Sequence, residues 1–208
     1  MQLKVCGITQ LEQAHALDAM GVNYIGFIFY QSSKRYVLGQ LTLQDLATFK
    51  PVKAKKVGVF VNETLAHVVE IVANAGLDMV QLHGDETAAY CEQLNKLVPV
   101  IKVFRISKGV PDYVAFENAA TYYLFDTDSA LYGGTGQHFN WEIIKNENFN
   151  KPYFLSGGIG VNDLHGIEVM RKTKAGKQLK AIDINSQFEI SPGIKNLEKI
   201  KTFIDELI

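Results

Sequence analysis

Two polar residues stand where apolar runs stop, and both are types that can move protons. Val5-Cys6-Gly7-Ile8-Thr9 closes the first short apolar run, and Leu124-Phe125-Asp126-Thr127-Asp128 closes another past the middle of the chain. A thiol near a helix N-terminus can have a depressed pKa. Gly7 follows Cys6 directly and Thr9 opens a helical pattern, so Cys6 suits a reactive role as well as the bland one of a small buried hydrophobe. Asp126 leaves an apolar run, where an unpaired charge is costly. It either caps a loop with Thr127 or Ser129, or acts as a general acid whose pKa partial desolvation raises. Asp128 lies further into the loop and is the second choice. A thiol and a carboxyl on one rim would make a base and acid pair for proton transfer, chemistry that calls for no metal and no redox cofactor.

The elements that must hold them alternate. Strand-like runs cover Leu3–Cys6, Tyr24–Phe29, Lys56–Val61, Met79–Leu82, Val100–Phe104, Tyr122–Asp126, Tyr153–Ser156 and Ala181–Ile184. Most are near-continuously apolar, as parallel strands covered on their outer face are. Helical patterns fill the gaps: Thr9–Met20 with a Thr9/Glu12 capping box, Leu43–Phe49, Leu65–Ala75 closed by Gly76, Thr87–Leu97, Tyr113–Ala119, Asn162–Arg171 and Leu197–Leu207. Eight strands alternating with helices predict a single-domain (β/α)8 TIM barrel over residues 1–208, with a doubly wound open sheet as the competing fold.

Barrel active sites lie where strands end, so the polar residues there are the candidates. Ser156-Gly157-Gly158 ends the seventh strand and Asp183-Ile184-Asn185-Ser186 the eighth. Barrels often hold phosphate between these loops, where glycine exposes backbone N–H groups. Gly157, Gly158, Asn185 and Ser186 are therefore predicted to bind a phosphate. Arg35, in Ser32-Ser33-Lys34-Arg35-Tyr36, could pair with a substrate carboxylate, or the loop is simply a solvated basic one. His83, in Gln81-Leu82-His83-Gly84, either contacts substrate or bonds neighbouring backbone. Gly133-Gly134-Thr135-Gly136 is a flexible loop or a close backbone approach to a ligand, and is no dinucleotide fingerprint. His15, His67, His138 and His165 lack ligand spacing with acidic residues, so no metal is expected.

Composition narrows the class further. The 208 residues are 47% hydrophobic and 21% charged, with a net charge of -1, which gives no field for nucleic acid or an anionic membrane. Lys53, Lys55 and Lys56 read as a solvated approach to a strand. No run is long enough to span a bilayer, no signal peptide is evident, and Cys6 and Cys91 make no disulfide framework; the expected compartment is the cytoplasm. Oligomeric state is not written in the sequence.

Several motifs together resemble the phosphoribosylanthranilate isomerase family. They run in order through Lys4-Val5-Cys6-Gly7-Ile8-Thr9, Ser33-Lys34-Arg35-Tyr36, Val80-Gln81-Leu82-His83-Gly84, Phe125-Asp126, Gly133-Gly134-Thr135-Gly136 with Phe139-Asn140-Trp141, Ser156-Gly157-Gly158 and Pro192-Gly193-Ile194-Lys195. The resemblance implies a (β/α)8 isomerase of tryptophan biosynthesis that performs an Amadori rearrangement on a phosphosugar without a cofactor. It implies Cys6 as general base, Asp126 as general acid, Arg35 at the anthranilate carboxylate, and phosphate loops around Gly157, Gly158, Asn185 and Ser186. Two positions depart: Gln187 stands where the family commonly has glycine, and Asn140 where aspartate is usual. Two rival readings are a barrel aldolase using Lys102 as a Schiff base and a non-catalytic sugar-phosphate sensor.

Overall fold

Strands apolar on both faces must be covered on both, and here they close on themselves. The computed structural model describes residues 1–127 and 139–207. Strands β1 (Gln2–Val5), β2 (Tyr24–Ile28), β3 (Lys55–Phe60), β4 (Met79–Leu82), β5 (Val100–Ile106), β6 (Tyr122–Thr127), β7 (Tyr153–Leu155) and β8 (Leu179–Ile184) pair in sequence order into a closed parallel barrel. The ring closes by β8 lying beside β1, with Lys4 opposite Asp183 and Val5 opposite Ile184. The open-sheet alternative is thereby excluded.

Side chains alternate between two cores, as the period of a strand requires. Tyr24, Met79, Ile101, Leu124, Phe154 and Ala181 belong to an inner apolar cluster. Their strand neighbours, such as Ile25, Val80, Val100, Phe125, Leu155 and Ile182, belong to the larger cluster outside. Two residues on from Leu124 comes Asp126, and two on from Ala181 comes Asp183, so both carboxyls follow the inner row. Lys4, paired in register with Tyr24, is on that row as well, and so is Cys6.

The outer layer holds α1 (Leu11–Ala19), α2 (Leu43–Thr48), α3 (Leu65–Ala75), α4 (Ala88–Asn95), α5 (Leu164–Arg171) and α6 (Leu197–Leu207). Helix α3 is capped by Thr64 Oγ1 on the His67 N–H at 3.4 Å, and ends at Gly76 with φ +63°. Helix α1 departs from expectation. It begins at Leu11 and its cap residue, Gln10, makes no side-chain cap bond. The Thr9 hydroxyl donates instead to the Gly193 carbonyl at 2.9 Å, so the Thr9/Glu12 capping box does not form. Gly193 lies in a hairpin unforeseen from sequence, β9 (Glu189–Ser191) with β10 (Ile194–Lys195).

The Tyr113–Ala119 helix is reduced to a 3₁₀ turn at Val114–Phe116, because its aromatics serve as a lid. Tyr113 packs on Tyr123 and Phe116 on Phe104, and the i, i+3 pair is eclipsed on a 3₁₀ turn. The Asn162–Arg171 helix likewise starts late, after a 3₁₀ turn at Val161–Asp163. Lys56 is not solvated: it is 2% exposed, and its ammonium closes the Leu46 and Ala75 carbonyls at 2.8 Å each. Among the described residues no helix is long and apolar enough to cross a membrane.

Candidate active site

The end of β1 is built for close approach. Cys6 is the first residue past the strand, and its N–H still bonds the Ile184 carbonyl at 2.9 Å. Gly26 on β2 leaves room for the thiol: a Cβ there would lie 2.8 Å from Cys6 Sγ. Gly7, with φ +77°, lets two loops converge. A Cβ on it would meet Arg35 Cδ at 2.7 Å and Asn185 Oδ1 at 2.8 Å. Three predicted site residues thus meet around one glycine.

The electrostatics of Cys6 differ from the sequence expectation. The thiol is 5% exposed, and burial raises its pKa rather than a helix end lowering it. Helix α1 starts too far on to act. Lys4 and Lys195 pull the thiol down against that burial, and Asp183 pushes it up. Lys4 is fully buried, with Nζ 2.9 Å from Asp183 Oδ1, and it is electrostatically coupled to the Cys6 thiol two residues on. Burial works against its charge, but Asp183 and then Cys6 outweigh that and hold its pKa above the ordinary lysine value.

Asp126 lies on β6, 9% exposed. Its Oδ1 accepts from the Thr127 N–H at 2.8 Å, and its Oδ2 is 3.3 Å from His83 Nε2. His83 therefore turns its ring to the candidate acid. Its Nδ1 faces the Gln81 amide nitrogen at 3.1 Å. Its Nε2 is buried and makes no hydrogen bond among the described residues, so it meets Asp126 as a close polar contact only. Gly157, at φ +98°, lies against Thr127, and a Cβ on it would come within 3.4 Å of Asp126 Oδ1.

Arg35 is already engaged. Its Nε and Nη2 grip the Glu189 carboxylate at 2.6–3.0 Å, and that bond first, aided by the charge of Glu189, raises its pKa. The Nη1–Nη2 edge is what it can offer a ligand. Glu189 also accepts from Lys195 Nζ at 2.8 Å, and Lys195 donates to Asn185 Oδ1 at 2.7 Å. One buried network therefore joins the loop after β2 to the loop after β8. Gly158 takes φ +69°, and Ser186 opens a 3₁₀ turn to Phe188. Asp128 and Gly133-Gly134-Thr135-Gly136 lie outside the described residues.

A family model described as N-(5'phosphoribosyl)anthranilate (PRA) isomerase matches residues 3–206. The chain belongs to the N-(5'-phosphoribosyl)anthranilate isomerase family. It is 37% identical to the N-(5'-phosphoribosyl)anthranilate isomerase of Parabacteroides distasonis, covering 100% of this chain and 94% of that one. The solved phosphoribosyl anthranilate isomerase of Thermus thermophilus superposes with a TM-score of 0.84 at 27% identity, over 100% and 98% of the two chains. Another solved phosphoribosyl anthranilate isomerase, in complex with reduced 1-(o-carboxyphenylamino)-1-deoxyribulose 5-phosphate, gives 0.76 at 30% identity with the same coverage.

Both departures from the isomerase pattern have local explanations. Gln187 sits inside the 3₁₀ turn, and among the described residues only Asn62 is a non-glycine with positive φ, so Gln187 needs none of glycine's freedom. Asn140 caps the 3₁₀ turn Trp141–Ile143, its Oδ1 accepting from the Glu142 N–H at 3.0 Å, as an aspartate would. Sequence reasoning missed Lys4, Asp183, Glu189 and Lys195 as site groups. The first two carried a signal: a charge at inward parity in an apolar strand, two residues before a candidate. Lys102 is corrected. It lies on the outer row of β5, bound to the Glu86 carboxylate and the Gly84 carbonyl at 2.8 Å each, and is no free amine for a Schiff base.

Proposed function

We propose that the chain catalyses its family's reaction, the Amadori rearrangement of N-(5'-phosphoribosyl)anthranilate to 1-(2-carboxyphenylamino)-1-deoxyribulose 5-phosphate in tryptophan biosynthesis. Asp126 is the general acid and Cys6 the general base. One arrangement supports these roles. Thiol and carboxyl stand at the same end of the barrel, on β1 and β6, and the buried Asp183 is in electrostatic reach of Lys4 beside one and of Asp126 and His83 at the other.

Asp126 gives its proton to the ribose ring oxygen as the C1–O bond opens. The anthranilate nitrogen lone pair forms the C1=N bond in the same step. The Cys6 thiolate takes the proton from C2, and the C–H electrons form the C1=C2 bond of an enolamine. Moving a proton from O2 to C1 yields the ketone. The Asp126 carboxylate then regains a proton from solvent and the Cys6 thiol releases one, so the cycle balances. His83 steadies Asp126 through the 3.3 Å contact. Backbone N–H groups at Gly157, Gly158, Asn185 and Ser186 hold the phosphate, and the free edge of Arg35 meets the carboxylate. Anchoring both ends turns binding energy into orientation. The single barrel works in the cytoplasm on this small phosphosugar, and proton transfer alone asks for no cofactor.

The test is turnover of freshly generated phosphoribosylanthranilate, followed by loss of anthranilate fluorescence. Cys6→Ala and Asp126→Asn should each lower kcat by about 10²–10⁴, roughly 3–5 kcal/mol of barrier. Full activity in Cys6→Ala would remove the base assignment. Ligand binding by a wild type without turnover would favour the sensor reading.

A further inference from the structure

Lys4 has no assigned task in that mechanism, yet it is fully buried. It stands two residues before Cys6, so both side chains rise from the same face of β1. Its Nζ bonds Asp183 Oδ1 at 2.9 Å, and its charge acts on the Cys6 thiol beside it. An ammonium buried without partners is expensive, and a Lys–Asp pair alone could be replaced by apolar groups without loss. A thiol placed next to the pair, on the same side of the strand, is what a purely structural pair would not need.

We infer that Lys4, held by Asp183, is the positioning residue that carries the counter-charge for Cys6 when the thiol gives up its proton. The inference rests on Cys6 as the base. A desolvated thiol releases its proton to solvent only if the thiolate left behind is compensated in place. Lys4 supplies a positive charge fixed by Asp183 on the same side of the strand, two residues from the thiol. When the thiolate removes the C2 proton the charge at sulfur vanishes, and Lys4 falls back on Asp183. The remaining groups around Cys6 are Asp183 on β8, which opposes the thiolate, and Lys195 on β10 with Arg35 after β2, which favour it but are both held by Glu189. Gly26 on β2 brings no charge. Asp126 and His83 act electrostatically on Asp183.

The experiment measures iodoacetamide alkylation of Cys6 in substrate-free protein against pH, resolved by mass spectrometry, alongside kcat and KM. Lys4→Met and the charge-neutral Lys4→Met/Asp183→Asn should both move the alkylation midpoint up by about one pH unit or more, and lower kcat about tenfold or more with KM nearly unchanged. Asp183→Asn alone, which leaves Lys4 to the thiol, should move the midpoint down. A double variant with the wild-type midpoint and kcat overturns the inference, as does an Asp183→Asn midpoint that fails to fall should Lys4→Met not fold. If the wild type does not turn over phosphoribosylanthranilate but the midpoints still move as stated, the isomerase reading fails and the role of Lys4 stands.

Discussion

At the scale of the residue, chemistry here depends on what its neighbours leave out as much as on what they supply. Cys6 has room for its sulfur because residue 26 has no side chain. A Cβ at Gly26 would sit 2.8 Å from Sγ and 3.1 Å from the Cys6 Cα, so both thiol and backbone would have to move. Gly26→Ala should therefore cost about 1–3 kcal/mol of stability through overpacking. It should lower kcat by about a hundredfold through misplacement of the base, read by the fluorescence assay on protein whose circular dichroism matches the wild type. Unchanged kcat would mean that the thiol tolerates displacement. Cys6 and Asp126 drew notice in the sequence because polar residues at strand ends are conspicuous, and Arg35 as a charge in the loop after β2. Glu189 was not, since the hairpin that brings it back to Arg35 has no strong periodic signal.

At the scale of the element, the site is held by ties between loops. Asp18, near the end of α1, accepts backbone N–H bonds from Val52, Lys53 and Ala54 at 2.7–2.8 Å and so fixes the approach to β3. Burial alone would raise its pKa, but these three donors outweigh burial and hold it below the ordinary carboxylate value. Its stabilising contribution is therefore fully present above the unfolded-state pKa, and is lost as pH falls through the lower native one. Asp18→Asn should cost roughly 2–3 kcal/mol near neutral pH, and the gap between variant and wild type should close on acidification. Urea unfolding at neutral and acid pH checks the sign, and a gap that widens in acid would refute it. Nothing in the local sequence marks Asp18 as a tie between elements, since its partners lie 34–36 residues on.

At the scale of the whole molecule, the outer layer is uneven. Between β5 and β6 and again before β7, the described cover consists of 3₁₀ turns and a bank of aromatic rings rather than α-helices. Phe149 is central: it packs on Phe125 at 4.6 Å, on Tyr153 at 5.1 Å and on Tyr113 at 5.1 Å between ring centroids. Aromatics bury much area per residue, which lets so lean a chain seal its sheet. Phe149→Ala should cost about 3–5 kcal/mol, seen as a lower urea midpoint with an unchanged slope. A loss under 1 kcal/mol would show that the bank closes over the gap.

By itself the sequence determined the alternation of elements, which a barrel and an open sheet share, and the strand ends where chemistry could sit. Those are local properties: apolar runs, glycine at turns, and a polar residue where a run stops. Only the tertiary structure decided what each group experiences. Lys4 and Asp183, 179 residues apart, become register partners when β8 closes on β1. That closure buries the thiol and raises its pKa, where the local pattern of Gly7 and Thr9 pointed the other way. Burial and pairing depend on distances through space, and spacing along the chain does not encode them until the ring is shut.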